Sequence, residues 1–116
     1  MPTRYDFNLY RGADFQLIAD ILTDGLPADL SGFFVACQIK KRYFKDGVSL
    51  ADLTTDNGKI EIRESQIVLN FDHFLTDSLP PATYNYDVVL ISQEDYRTMV
   101  IQGEIKVMSL ITNVEK

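Results

Sequence analysis

From Leu79 to Ile91 the chain reads LPPATYNYDVVLI. Two prolines end whatever precedes them, and Tyr84, Tyr86, Val88 and Leu90 then recur every second residue. A period of two places these four side chains on one face of an extended strand. Asn85, Asp87, Val89 and Ile91 take the other face, which begins polar and ends apolar. A strand this rich in aromatic and β-branched residues calls for neighbours on both flanks and a second layer against its apolar face.

The same period runs through most of the sequence. Tyr5, Phe7 and Leu9 alternate with Asp6, Asn8 and Tyr10, and Arg11-Gly12 breaks the run. Phe15, Leu17, Ala19 and Ile21 alternate with Gln16, Ile18, Asp20 and Leu22, giving a second strand that ends at the turn Thr23-Asp24-Gly25. After a loop over Leu26–Gly32, a third strand spans Phe33–Lys41 with Val35, Cys37 and Ile39 inward and Ala36, Gln38 and Lys40 outward. Asp46-Gly47 punctuates it, and a shorter strand follows over Val48–Leu53. Asp56-Asn57-Gly58 is the strongest turn signal, since Asn-Gly suits two successive positions of positive φ. Ile60 and Ile62, then Ile67, Leu69 and Phe71, continue the alternation.

One helical piece is predicted, one or two turns over His73–Leu79, capped by Asp72 and stopped by Pro80-Pro81. A last strand over Tyr96–Met108 carries Gly103 as an expected bulge. The count is seven to eight strands with one short helical turn, the pattern of an all-β antiparallel sandwich. Residues 1–116 read as one domain, with its core over about 5–108 and a tail over 109–116. No repeat or linker divides them.

Composition sharpens this little. The chain is 46% hydrophobic and 24% charged, ordinary for a globular domain, and 116 residues suffice for a core without metal or disulfide. Cys37 is the only cysteine, so the fold does not depend on an oxidising compartment. The N-terminus MPTRYDFNLY lacks an apolar signal region, and no apolar run is long enough for a membrane helix. Net charge is −6, a balance that repels phosphate backbones except where basic residues gather. They gather once, at Lys40, Lys41, Arg42 and Lys45, interleaved with Tyr43 and Phe44. Cations beside aromatics suit single-stranded nucleic acid, but this stretch is short and the rest of the molecule acidic. It fits a charged hairpin end that discourages edge pairing, or a contact for an acidic protein neighbour. No nucleic acid and no membrane are expected as partners.

Candidate chemistry is sparse. His73 is the only histidine and reads as a surface residue of the helical turn. No nucleophile-elbow sequence flanks any serine. Cys37 lies on an inward strand face, where burial raises a thiol's pKa and removes its reactivity. Asp52, Asp56, Asp72, Asp77 and Asp87 sit near turns without the spacing of a calcium loop. The glycines are scattered singly, so no loop cradles phosphate. No enzyme activity, cofactor or metal is expected. Ile18, Leu22, Val68, Val89 and Ile91 are apolar on nominally outward faces. They form a patch for a partner, or belong to strands covered on both sides, or mark a phase change at a bulge.

Several segments in order resemble small immunoglobulin-like domains of tailed bacteriophages and prophages, among them the upper baseplate immunoglobulin-like domain. Arg11-Gly12-Ala13-Asp14-Phe15 resembles the family's opening strand, and Asp29-Leu30-Ser31-Gly32 with Val35–Lys40 its D-L-[ST]-G turn and following strand. Asn57-Gly58-Lys59-Ile60 with Ile67-Val68-Leu69 resembles the next hairpin. Leu79-Pro80-Pro81-Ala82 with Tyr84-Asn85-Tyr86-Asp87-Val88 resembles the L-P-x-[GA]-x-Y-x-Y-D-[LV] strand, with Ala82 in place of the usual glycine. Gly103-Glu104-Ile105-Lys106-Val107 resembles the closing strand.

The resemblance covers about residues 11–107 and implies an immunoglobulin-like sandwich serving as a virion structural protein of tail, baseplate, neck or capsid surface. It would be made in the host cytoplasm and located in the virion. The implied partners are other virion proteins, with the chain a homo-oligomer or ring component. Lys40, Lys41, Arg42, Tyr43, Phe44, Lys45, Ile18 and Leu22 are the candidate partner-binding residues. The alternative is a carbohydrate- or receptor-binding sandwich, with Tyr10, Phe33, Tyr43, Phe44 and Tyr96 as its candidate platform.

Overall fold

The computed structural model describes residues 3–41 and 49–111. The central strand is the tyrosine-rich segment, β10 (Ala82–Ile91), whose alternate residues Tyr84, Tyr86, Val88 and Leu90 are all buried. It pairs antiparallel on one side with β6 (Phe34–Lys40) and on the other with β11 (Arg97–Ser109). Strand β6 continues the sheet to β7 (Ser49–Thr54). At the opposite edge β1 (Thr3–Arg4) and β2 (Phe7–Arg11) lie parallel to β11 in succession. The second sheet holds β3 (Phe15–Asp20), β9 (Gln66–Phe71) and β8 (Ile60–Arg63), in that order. A small hairpin, β4 (Leu22–Thr23) with β5 (Leu26–Pro27), stands apart from both. Helix α1 (His73–Asp77) joins the sheets at the end where β10 begins.

The two sheets enclose one cluster of buried side chains, among them Leu9, Val35, Ile39, Leu53, Ile67, Leu69 and Ile105 at 0% exposure. Alternation is the cause: inward residues of one sheet meet inward residues of the other. Rings bridge the layers. Phe7 of the large sheet stacks on Phe15 of the small one at 5.3 Å, lies 5.6 Å from Phe71, and meets Tyr86 edge-on at 5.2 Å. Each such pair contributes about 0.5–1.5 kcal/mol beyond its buried area. At the entry to β10 the Tyr84 hydroxyl donates to the Pro80 carbonyl, the local bond of a tyrosine corner. Strand order β6-β10-β11 against β3-β9-β8, together with that corner, makes this an immunoglobulin-like β-sandwich. Its single cysteine, Cys37, is free and buried, so the rings hold the layers where related sandwiches use a disulfide.

Four local expectations change. Asn57-Gly58 does not close a hairpin: it carries the chain from β7 in one sheet to β8 in the other. Only Gly58 of the pair has positive φ, because the Asn57 side chain is committed elsewhere. Its Oδ1 accepts from Thr54 N and Lys59 N, and its Nδ2 donates to the Asp52 carbonyl. The hairpin closes instead at Glu64-Ser65, with Glu64 at φ +57. The bulge in β11 lies at Val100 rather than Gly103: Val88 pairs with Ile101 and Val89 with Met99. Gly103 pairs regularly with Tyr86, and its missing side chain serves another need: a Cβ there would overlap the Tyr5 carbonyl oxygen. Finally, Tyr5 is 47% exposed and does not share the buried face of Phe7 and Leu9. Between β1 and β2 the chain keeps to the same edge and register of β11, where Tyr5 N donates to the Gln102 carbonyl and the Tyr5 carbonyl lies over Gly103.

Asp24-Gly25 forms its expected turn with both residues at positive φ, between β4 and β5. The helix is capped as expected: Asp72 accepts from Leu75 N at 2.8 Å. Asp46-Gly47 and residues 112–116 of the expected tail lie outside the described residues.

Candidate functional site

Pairing registers convert the open face of the large sheet into a grid. Val35, Cys37 and Ile39 point into the core, so Phe34, Ala36, Gln38 and Lys40 point outward. Their partners on β10 are Ile91, Val89, Asp87 and Asn85, and on β11 Arg97, Met99, Gln102 and Glu104. On β7, Thr54 lies beside Ala36 and Asp52 beside Gln38. One half of this face is therefore apolar at its centre: Phe34 and Ile91 form one row, ended by Arg97 on β11, and Ala36, Val89 and Met99 the next, ended by Thr54 on β7. All five are half-buried by their neighbours in the sheet. The following row is Asp52, Gln38, Asp87 and Gln102. Burial pushes the Asp87 carboxyl above its ordinary range, an effect that Lys40 partly opposes.

Of the candidate residues, Lys40 closes β6 in the grid's next row, opposite Asn85. Lys41 is exposed just beyond, with its Nζ 5.4 Å from the centre of the Tyr84 ring and its carbonyl accepting from Asn85 Nδ2. Arg42, Tyr43, Phe44 and Lys45 lie outside the described residues. Ile18 is 51% exposed on the back of the small sheet, beside Val68, which its neighbours cover completely. Leu22 is 59% exposed in the β4–β5 hairpin, past the end of β3. The structure does not gather these residues: Lys40 and Lys41 lie on the large sheet, Ile18 on the small one and Leu22 on a separate hairpin.

Val89 and Ile91 of the expected patch do sit on the open face, and they are joined there by Phe34, Ala36 and Met99. Ala36 was legible as outward from its alternation. Met99 was not, because the bulge at Val100 sets its direction. Among the platform aromatics, Tyr10 lies at the end of β11 near Met108, whereas Tyr96 precedes Arg97 at the opposite end. Those two rings share no platform.

Sequence reasoning also missed a contact of the histidine. Asp14 Oδ1 accepts from His73 N at 2.6 Å and lies 3.0 Å from His73 Nδ1, which holds the Asp14 carboxyl below its ordinary range. Thr76 adds a second tie, donating to the Ala13 carbonyl and accepting from Gly12 N. These bonds fasten α1 to the β2–β3 turn. A shallow cleft of about 350 Å³ lies beside them, lined by Asp14, Phe15, Gln16, Asn70, Phe71 and Asp72. Among the described residues no three His, Cys, Asp or Glu side chains come together to hold a metal ion. Nor is any described helix long and apolar enough to cross a membrane. Cys37 is fully buried, and its thiol is pushed far up by desolvation, with Asp87 and Asp52 adding to the effect. That is the setting of an inert thiol.

No family model matches this chain, and no curated protein matches it. A solved structure of murine CRIg aligns with it at 12% identity and a TM-score of 0.36, over 94% of this chain and 93% of that one.

Proposed function

We propose that this chain is a bacteriophage virion structural protein, a tail, baseplate, neck or capsid-surface component that acts as a protein–protein interaction module. The ordered motifs from Arg11 to Val107 support the virion setting through their resemblance to phage immunoglobulin-like domains. The observation that carries the binding role is the apolar half of the open sheet face, where Phe34, Ala36, Val89, Ile91 and Met99 adjoin. Apolar rows bounded by polar ones are the arrangement of an interface core and its rim. The role is scaffolding: a stiff sandwich offers a flat surface and sheet edges to neighbouring subunits, and no bond is made or broken. The chain would be made in the host cytoplasm and function in the particle.

Mass spectrometry of purified virions from a phage or induced prophage carrying the gene tests the setting. The expected result is the chain at a fixed ratio to the major tail or capsid protein. Its absence from particles of a strain that expresses it overturns the reading.

A further inference from the structure

We infer that the open face of the large sheet is a homodimer interface, built by a two-fold axis running along the strands between β6 and β10. The inference deepens the interaction-module reading by naming the partner as a second copy of this chain. The rows of the two copies match. An axis along the strands lays each row over the same row of the partner and reverses only the order of strands. Phe34 then faces Ile91 and Ala36 faces Val89, apolar contact at the centre of the upper half, with Met99 against Thr54 beside it and Arg97 at its margin. In the next row Gln38 faces Asp87 and Gln102 faces Asp52, so each carboxylate meets an amide that donates to it. Lys40 comes over Asn85 in the row after that.

A two-fold across the strands fails this test. It reverses the rows and lays Ile91 or Val89 over the Asp87 carboxylate, which desolvates a charge without a hydrogen-bond partner. The self-match along the strands therefore selects one arrangement and one occupant. Asp87 is already prepared for cover, being half-buried on the face.

The area is also sufficient. Strands about 4.8 Å apart and same-face residues about 6.7 Å apart give four strands by four rows an outline of about 500 Å². Side-chain relief raises the accessible area toward the roughly 800 Å² per partner of a stable interface. Aligned sheets cross at about 30°, so the match is closest at the centre, between Ala36 of one copy and Val89 of the other.

Complementary charges placed at that centre test the arrangement. The wild-type chain is expected to sediment as a dimer at submillimolar concentration. Ala36→Asp alone and Val89→Arg alone should each weaken association at least about tenfold, while circular dichroism and thermal melting confirm that both stay folded. Mixing the two variants should restore a heterodimer, because Asp at 36 faces Arg at 89 only in the strand-parallel arrangement. A monomeric wild type, or a dimer indifferent to both substitutions, overturns the inference. So does a mixture that stays monomeric. Detection of the chain in virions alongside a monomeric wild type would overturn the homodimer while leaving the virion setting intact.

Discussion

The Tyr86 hydroxyl donates to the Tyr5 carbonyl at 2.6 Å, joining residues 81 positions apart. The bond is possible because Gly103, directly across from Tyr86, has no side chain where the N-terminal segment passes. Asp6 secures the same passage by accepting from Glu104 N at 2.8 Å. Phe7 follows immediately and enters the inter-sheet rings. One tyrosine thus packs against the core with its ring and fastens the first strand with its oxygen.

Removing those two roles separately should give separable costs. Tyr86→Phe keeps the ring and loses the bond, a cost of about 1 kcal/mol. Tyr86→Ala loses the ring as well and should cost about 3–5 kcal/mol. Urea denaturation of both variants measures the difference, and equal losses would contradict this division.

Gly103→Ala should act on the N-terminal segment. The new methyl group displaces the Tyr5 carbonyl, and overpacking of this kind costs about 1–3 kcal/mol. Hydrogen exchange should rise at Tyr5 and at Phe7–Leu9 before it rises in β10. Unchanged protection of Tyr5 would show that the segment tolerates a Cβ beneath it.

At the other end of β10, Tyr84→Phe removes the bond to Pro80 and should cost about 1 kcal/mol. Pro80 is exposed, so water can satisfy its freed carbonyl and limit the loss. A thermal melt reads the change, and a loss as large as that of Tyr86→Ala would contradict this reading.

Cys37 should resist alkylation. Its thiol is fully buried with its pKa pushed up, so iodoacetamide should label the chain in denaturant and not in buffer. Rapid labelling of the native protein, followed by mass spectrometry, would contradict the buried placement.

The pH dependence of Asp87 has a definite sign. Its folded pKa lies above the ordinary 3.8, raised by burial against the pull of Lys40. The folded state therefore takes up this proton at a higher pH than the unfolded chain does. The stability tied to Asp87 is full below the unfolded value and is lost as pH rises through the folded one. Asp87→Asn should be more stable than the parent at pH 7, by no more than about 1 kcal/mol at a half-exposed site. The difference should vanish as pH falls toward 3.8. Urea midpoints of the two proteins across that interval measure it.

Strand alternation made the core legible: Val35, Cys37, Ile39, Tyr84, Tyr86, Val88 and Leu90 are buried where period two places them. The helix was legible because Asp72 and the two prolines fix its ends through local chemistry. Long-range relationships were not. Asn57-Gly58 has the composition of a hairpin turn, yet the side-chain bonds of Asn57 and the change of sheet decide its conformation. Gly103 read as a bulge because a strand glycine has two uses, and only the passage of Tyr5 tells them apart. The open face needed registers: alternation marks Ala36, Val89 and Ile91 as outward, but pairing alone places them side by side with Phe34 and Met99.

The surplus residue at Val100 decides which wall of the molecule its neighbours belong to. Without the bulge, with Val100 paired in the ladder, Met99 and Arg97 would continue the inward phase of Ile101, Gly103 and Ile105, driving a guanidinium toward the oily interior. With it, both side chains turn to the outside and Val100 itself folds against the core. Deleting this one valine would remove the bulge and leave Met99 and Arg97 outward against Val89 and Ile91, so the outward chemistry there is held by the pairing with β10, and the bulge is what lets the chain carry one residue more than its partner.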